Sequence, residues 1–256
     1  MKKIAPRMEP PNNQQLWKKK LIVYSFLLIT AVSLKVHYSN SSVENLAWII
    51  APTVKLVEAF STLDFTKEAF AGYVNIDHRF IIAKSCAGIN FLIIVFCLMV
   101  VSYQNRFQTT SQGLFHLAGS FLFAYCITLV ANSVRILGAV FLHSNSFSFG
   151  WFSSSRIHRL EGIVIYFVFL LLVYGFIQKS KNPKKRKIAS GTTLMNTPIF
   201  WYLLITVILP LATRLYRKEF SGYFEHSAFV IGVVFLIHII LRFFKWIIDN
   251  FRSKVG

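Results

Sequence analysis

One thiol stands where a long apolar run of the chain begins. Cys86 lies in the segment 84–90, directly before the apolar residues 91–101. A thiol at the mouth of a membrane helix has water on one side and hydrocarbon on the other, so it can ionise and still meet a membrane-anchored substrate. This position predicts a cysteine nucleophile. The alternative is a packing residue, because cysteine is among the most buried residue types.

Two further polar residues can complete an acyl-transfer site with Cys86. Arg135 lies inside the apolar run 113–142, and His158 stands just before the next apolar run. A thiol attacks a carbonyl, an imidazole moves a proton to the leaving amine, and a permanently charged guanidinium donates hydrogen bonds to the developing oxyanion. The residues leave open whether the imidazole acts as a neutral base or pairs with the thiolate as an imidazolium.

Three other residues are predicted to support this chemistry. Asn132 comes three residues before Arg135, on the same face of a helix, and is expected to orient the guanidinium. Ser85 and Gly88 flank Cys86 and are expected to contact the substrate.

Each of the catalytic candidates has a simpler explanation. An arginine near a helix end often only extends its charge to the lipid headgroups, which is an alternative for Arg135. No spacing rule singles out His158, and Cys97 and Cys126 are expected to be packing residues in apolar helices. The competing external histidines are His37, His78, His143 and His226.

The composition restricts the class of protein. Of the 256 residues, 55% are hydrophobic and only 15% are charged, and several apolar runs can cross a bilayer, which indicates a polytopic membrane protein. The net charge of +18 is concentrated in short clusters between these runs, so membrane topology explains it and nucleic-acid binding is excluded as a primary function. The three cysteines lack ligand spacing, and neither a metal nor an organic cofactor is predicted.

The apolar runs predict an all-α helical bundle of about six spans (six to eight) with both termini in the cytoplasm. In this orientation 17 of the 28 basic residues, but only 2 of the 10 acidic residues, lie on the cytoplasmic side. The predicted spans are about 21–34, 88–103, 113–142, a fourth ending near 177, 198–215 and 228–248. The predicted regions are a basic leader (1–20), a catalytic core (21–178), a basic linker (179–197) and a C-terminal hairpin (198–256).

The segment between the first two spans is predicted to be external. Residues 45–60 are apolar enough to lie in the interface or dip into the bilayer, although Pro52, Lys55 and Glu58 argue against a full span. Residues 73–82 are predicted to be extended. One face of that segment would carry Val74, Ile76, Phe80 and Ile82.

This topology places the three catalytic candidates in the same leaflet. Cys86 and His158 each begin an inward-running helix, and Arg135 lies roughly 33 Å into an outward-running one. That third span would be roughly 45 Å long, against a hydrocarbon core of about 30 Å. It must therefore tilt, break near Gly138 or project beyond the membrane.

Three short motifs at these positions resemble the exosortase/archaeosortase family of membrane transpeptidases. They are Ser-Cys-Ala-Gly-Ile at 85–89, Asn-Ser-Val-Arg-Ile at 132–136, and His158 followed by Gly162. The resemblance covers about residues 73–176. It implies a Cys86, Arg135 and His158 site that cleaves C-terminal sorting signals of the PEP-CTERM kind, each with a short motif, a transmembrane helix and a basic tail.

The resemblance also implies partners and a location. The partners would be membrane-anchored proteins with such a signal, membrane lipids and an acceptor nucleophile of unknown identity. The site would face the periplasm from the inner membrane of a bacterium. Members of this family commonly have more spans, the exosortase K subtype is one alternative within it, and the last hairpin would be an extension that docks the substrate helix.

The alternative from another class is a non-enzymatic scaffold or transporter subunit, in which the polar residues only anchor the topology. A transporter would be expected to have polar or broken positions at mid-bilayer depth in paired segments, and the predicted spans show little of that.

Overall fold

The computed structural model describes residues 13–77, 80–103, 109–144, 154–180, 197–218, 220 and 222–255. Within these residues the chain forms eight α-helices and one three-stranded antiparallel sheet. The helices are α1 (Asn13–Asn40), α2 (Ala47–Ala59), α3 (Ile89–Tyr103), α4 (Thr110–Ser144), α5 (Ser154–Ser180), α6 (Pro198–Leu203), α7 (Leu209–Arg217) and α8 (Tyr223–Val255). The strands are β1 (Thr66–Glu68), β2 (Gly72–Asn75) and β3 (Phe80–Ile82).

Several predicted features fall outside the described residues. They include most of the basic leader, His78, Arg106, the loop 145–153 and most of the basic linker.

Five helices are long and apolar enough to cross a bilayer, which confirms the prediction of an all-α multipass membrane protein. Their candidate spans are Lys20–Asn40, Lys84–Tyr103, Thr110–Leu142, Arg159–Ser180 and Tyr223–Phe243. The remaining predicted run is a shorter apolar stretch, Pro198–Leu211, where a π-helical turn (Leu204–Ile208) joins α6 to α7.

Helix α3 is the buried centre of the bundle. Every residue from Phe91 to Val101 is buried. A helix that is apolar on all sides is covered either by other helices or by lipid, and here α1, α4, α5 and α6 pack around α3. This packing fixes the head of α3, where Cys86 is located.

Helix α4 is one unbroken helix of 35 residues, so the predicted alternative of a break near Gly138 is wrong. Gly138 instead allows α5 to approach closely, since a Cβ at this position would lie 2.8 Å from Oε1 of Glu161. At about 52 Å the helix is longer than a hydrocarbon core of about 30 Å. It must therefore tilt or project beyond the membrane.

The apolar segment predicted at 45–60 forms helix α2. Its 13 residues cover only about 20 Å, which is too short to cross a bilayer. One face is buried and the helix packs against α4. The buried residues are Ile49, Ile50, Thr53, Val54 and Val57.

The prediction of one extended segment at 73–82 is wrong, because the chain reverses within it. Strands β2 and β3 pair antiparallel, with Val74 opposite Ile81. The expected apolar face is therefore divided: Ile82 is fully buried, whereas Ile76, beyond the end of β2, is 72% exposed. The buried side chain of Asn75 donates a hydrogen bond of 2.8 Å to the carbonyl of Asp64, which secures the sheet.

Candidate active site

Cys86 lies in a 3₁₀ turn, Lys84–Ala87, that connects β3 to α3. Its backbone N–H donates a hydrogen bond of 2.9 Å to the carbonyl of Ala83. The side chain is only 7% exposed. The thiol is therefore held at the head of α3, as the sequence predicted, and it is enclosed by neighbouring helices instead of projecting into solvent.

The other two cysteines occupy different environments. Cys97 is 4% exposed within α3, which agrees with a packing role. Cys126 is exposed on the outer face of α4, so the prediction that it packs inside the bundle is wrong. The position of Cys126 in the middle of an apolar run did not indicate whether its side chain would face the other helices or the outside of the bundle.

Asn132 connects the parts of the site. Its side chain is fully buried, and its Nδ2 donates a hydrogen bond to the backbone carbonyl of Cys86. Its Oδ1 accepts hydrogen bonds from Nε of Arg135, at 3.2 Å, and from the hydroxyl of Tyr166, at 2.8 Å. The contact between Asn132 and Arg135 follows from their three-residue spacing on α4. Asn132 thus ties α3, α4 and α5 together around the thiol.

Arg135 is buried beside the thiol instead of extending to solvent. It is 8% exposed, and its guanidinium interacts electrostatically with the side chain of Cys86. Its Cζ lies 5.5 Å from the ring centroid of Tyr166, a cation–π contact. Its Nη2 is buried and has no hydrogen-bond partner among the described residues. A guanidinium nitrogen without such a partner can donate a hydrogen bond to an oxygen of a bound substrate.

Helix α5 supplies the opposite wall of the site. It begins at Ser154, so His158 lies in its first turns, but the His158 side chain is outside the described residues. Gly162 faces Arg135, and a Cβ there would lie in ordinary van der Waals contact with Cδ of the arginine, at 3.5 Å. Glu161 interacts electrostatically with Arg135 and lies three residues after His158, on the same face of the helix.

Tyr166 is a site residue that the sequence analysis missed. Its ring stacks on Phe91 of α3, with 4.8 Å between the centroids, and its hydroxyl reaches Asn132. A tyrosine four residues after Gly162, in an otherwise apolar run, was the available signal. A buried phenol needs a hydrogen-bond partner, and here that partner is the amide that also holds Arg135.

Two lysines form a basic rim at this end of the bundle. Nζ of Lys35 donates a hydrogen bond of 2.7 Å to Oδ1 of Asn90. Nζ of Lys84 donates to the carbonyl of Ser39, at 3.0 Å, and lies 5.3 Å from the ring centroid of Tyr38. These contacts attach α1 to the head of α3 and place positive charge near the thiol.

A cavity of about 640 Å³ opens beside this cluster. Ser85, Gly88 and Arg135 line it, which places two of the predicted supporting residues and the predicted oxyanion donor on one surface. Cys86 is buried and does not itself line the cavity, although its neighbour Ser85 does. Residues of α5, α7 and α8 form the other walls, so the cavity lies between the core of the bundle and its C-terminal helices.

Gly88 is expected to be intolerant of substitution. Its φ is +69°, and an added Cβ would lie 3.1 Å from Cγ2 of Thr128, 3.3 Å from the Tyr166 oxygen and 3.4 Å from Cγ of Asn132. We expect Gly88→Ala to destabilise the fold by about 1–2 kcal/mol through the left-handed backbone alone, and to displace Asn132.

Thermal unfolding in detergent and substrate processing would measure these effects. The control is Gly119→Ala on α4, where an added Cβ meets no atom within 4 Å. Equal stability of the two variants would contradict the prediction.

Among the described residues, no three His, Cys, Asp or Glu side chains come together in a way that could hold a metal ion.

Comparison with known protein families identifies a match. A family model described as transmembrane exosortase matches residues 16–175, which is more than half of the chain. The matched region contains Cys86, Asn132, Arg135 and His158 and ends before α6. No curated protein and no solved structure matches the chain.

Proposed function

Because the chain belongs to the transmembrane exosortases, a family of membrane transpeptidases, we propose that it cleaves C-terminal sorting signals through a thioester on Cys86. The observation that carries the proposal is the buried hydrogen-bonded cluster of Cys86, Asn132, Arg135 and Tyr166 beside one cavity. A nucleophile next to a fixed cationic donor is the arrangement that acyl transfer requires.

In the first half of the reaction, the sulfur of Cys86 attacks the scissile carbonyl carbon. Arg135 stabilises the oxyanion that forms, because its Nη2 is free to donate and its Nε is held by Asn132. His158 takes the thiol proton of Cys86 and gives it to the leaving amine as the carbon–nitrogen bond breaks. The product is a thioester between Cys86 and the substrate.

In the second half, an acceptor attacks the same carbonyl and the carbon–sulfur bond breaks. Arg135 again stabilises the oxyanion, and the thiol of Cys86 is regenerated. The substrate is an exported protein that ends in a motif, a transmembrane helix and a basic tail, as in PEP-CTERM proteins. No metal or organic cofactor takes part in this scheme. The exosortase K subtype stays a prediction.

We also propose an orientation for the protein in the inner membrane of a bacterium. The site faces the periplasm and both termini face the cytoplasm. This is supported by the excess of basic residues on the proposed cytoplasmic side. The alternative of a scaffold or transporter subunit has less support, because the family consists of transpeptidases.

A variant with Cys86 as its single cysteine tests both the nucleophile and the side of the membrane. We expect Cys97→Ala/Cys126→Ala to process substrate normally, because Cys97 is buried within α3 and Cys126 lies on the outer face of α4, both outside the cluster of Asn132 and Arg135. A small membrane-impermeant thiol reagent added from the periplasmic side should then abolish processing. The same reagent confined to the cytoplasmic side should have no effect. Full activity after complete labelling of Cys86 would refute the proposed mechanism, and inhibition from the cytoplasm would reverse the orientation.

A further inference from the structure

The C-terminal helices form part of the cavity, although they lie outside the region that matches the family. Tyr202 of α6 and Thr206 of the π turn line it, together with Arg214, Tyr223 and His226. They therefore contribute side chains to the space in which the reaction takes place. A π turn is a rare geometry that occurs frequently at functional sites.

Packing and hydrogen bonds fix this wall against the core. The Tyr202 ring packs edge-on against Phe167 of α5, with 5.4 Å between the centroids. The hydroxyl of Tyr223 donates a hydrogen bond of 2.9 Å to the carbonyl of Val207 in the π turn. Cζ of Arg214 lies 5.9 Å from the ring centroid of Tyr223. The start of α8 is thereby held against α7 and the cavity.

His226 is placed to act in this cavity. It lies in the first turn of α8, where its backbone N–H donates to the carbonyl of Gly222 at 3.1 Å, and its side chain is partly exposed. Of the histidines whose side chains the structure describes, His226 alone lines the cavity. By contrast, His37 hydrogen-bonds Ser41 on α1, and His116 hydrogen-bonds Ser120 on α4.

The surroundings of His226 are cationic. It interacts electrostatically with Arg159 of α5 and Arg214 of α7. Among the described residues that line the cavity there are three arginines and one histidine but no aspartate or glutamate. Such a wall attracts carboxylate or phosphate groups and repels ammonium groups.

We propose that this C-terminal wall, together with Arg159 of α5, is the acceptor subsite, where His226 is the general base for a hydroxyl acceptor and Arg159 and Arg214 bind an anionic group on that acceptor. The inference rests on the proposed thioester on Cys86. While that thioester exists, the acyl chain occupies the end of the cavity at Arg135. The acceptor must then approach from the remaining side, which is the C-terminal wall.

Transfer to the acceptor exchanges a carbon–sulfur bond for a carbon–oxygen bond. The acceptor oxygen forms a bond to the thioester carbonyl carbon, and its proton passes to the imidazole of His226. The carbon–sulfur bond breaks, and the proton is returned to the sulfur of Cys86. His158 donates a proton to the leaving amine in the first half of the reaction, and His226 accepts a proton from the incoming hydroxyl in the second half. A positively charged amine acceptor is disfavoured by the two arginines.

The base is tested by His226→Gln in the full-length protein in membranes, with an exported protein that ends in a sorting signal as substrate. We expect a substrate thioester to accumulate on Cys86 and product release to slow by about a hundredfold. Methoxyamine, a strong nucleophile that needs little help from a base, should restore release. The control is His238→Gln on the same helix, which does not line the cavity.

Two results would overturn the assignment of the base. One is release at the wild-type rate by His226→Gln. The other is a failure of the thioester to form in a His226→Gln protein that unfolds at the wild-type temperature, since the residue would then act in the first half.

The anion subsite is tested with two small acceptors that share an aminooxy nucleophile. Aminooxyacetate carries a carboxylate, and methoxyamine does not. We expect the wild-type protein to use aminooxyacetate about tenfold faster, and Arg214→Gln to lose most of this preference. Arg242→Gln, an exposed change on α8, should keep it. Equal use of the two acceptors by the wild-type protein would overturn the anion subsite.

The Cys86→Ala and His226→Gln variants together distinguish a failure of the acceptor subsite from a failure of the proposed function. Normal processing by Cys86→Ala would remove the thioester and both proposals with it. An inactive Cys86→Ala, combined with wild-type release by His226→Gln, would remove only the acceptor subsite.

Discussion

Replacing Cys86 with alanine is expected to abolish processing of a substrate with a C-terminal sorting signal, with a fall in rate of at least about 10⁴-fold. Without the sulfur no thioester forms, and the oxyanion donor alone cannot replace a covalent intermediate. Full-length substrate should accumulate in the membrane, which immunoblotting of its size and release would measure. Because Cys86 is buried and alanine is smaller, the fold should persist, and thermal unfolding in detergent would check this.

The other two cysteines provide matched controls. Cys97→Ala removes a thiol buried within α3, and Cys126→Ala removes one from the outer face of α4. Both variants should process substrate at close to the wild-type rate. Normal processing by Cys86→Ala would rule out the cysteine mechanism.

The second large effect is expected for Arg135→Lys, which keeps the positive charge but loses the planar guanidinium. Lysine can reproduce neither the Nε hydrogen bond to Asn132, 3.2 Å in the native site, nor a second donor at the position of Nη2. We expect kcat to fall by about 10²–10³-fold, as when one oxyanion donor is removed elsewhere. KM should change little, because the lost interaction forms mainly in the transition state.

Kinetics of substrate cleavage by the purified protein in detergent would separate kcat from KM. Arg242→Lys, an exposed change on α8, is the matched control and should match the wild type. If Arg135→Lys kept the wild-type kcat, the charge alone would be sufficient, and the geometric role assigned to the Asn132 and Arg135 pair would be wrong. A large rise in KM with unchanged kcat would instead indicate a role in substrate binding.

The polar cluster shows where sequence reasoning was effective. The three-residue spacing of Asn132 and Arg135 predicted a contact that the structure contains. The position of Cys86 at the head of an apolar helix followed from its place directly before an apolar run. Both inferences depend on local geometry, because the pitch of a helix relates neighbours in the chain to one another without reference to the rest of the fold.

Other features could not be inferred in this way. Tyr166 contributes to the site only because α5 is rotated so that its hydroxyl meets Asn132, and the opposite rotation would have turned it toward lipid. Cys126 was expected to pack inside and lies on the outer face of α4. Apolar residues occur on every face of these helices, so hydrophobic periodicity carries little information about their rotation.

The long apolar helices follow from the sequence, because the cost of placing charge and unpaired backbone groups in hydrocarbon acts on each segment separately. Of the six predicted spans, five are such helices among the described residues. Which side chains meet was decided only by tertiary packing. A small residue such as Gly138 allows helices to approach closely, and interlocking side chains set their rotation. That packing gathered Cys86, Asn132 and Arg135 beside one cavity and brought His226, more than a hundred residues from Cys86 in sequence, to its opposite wall.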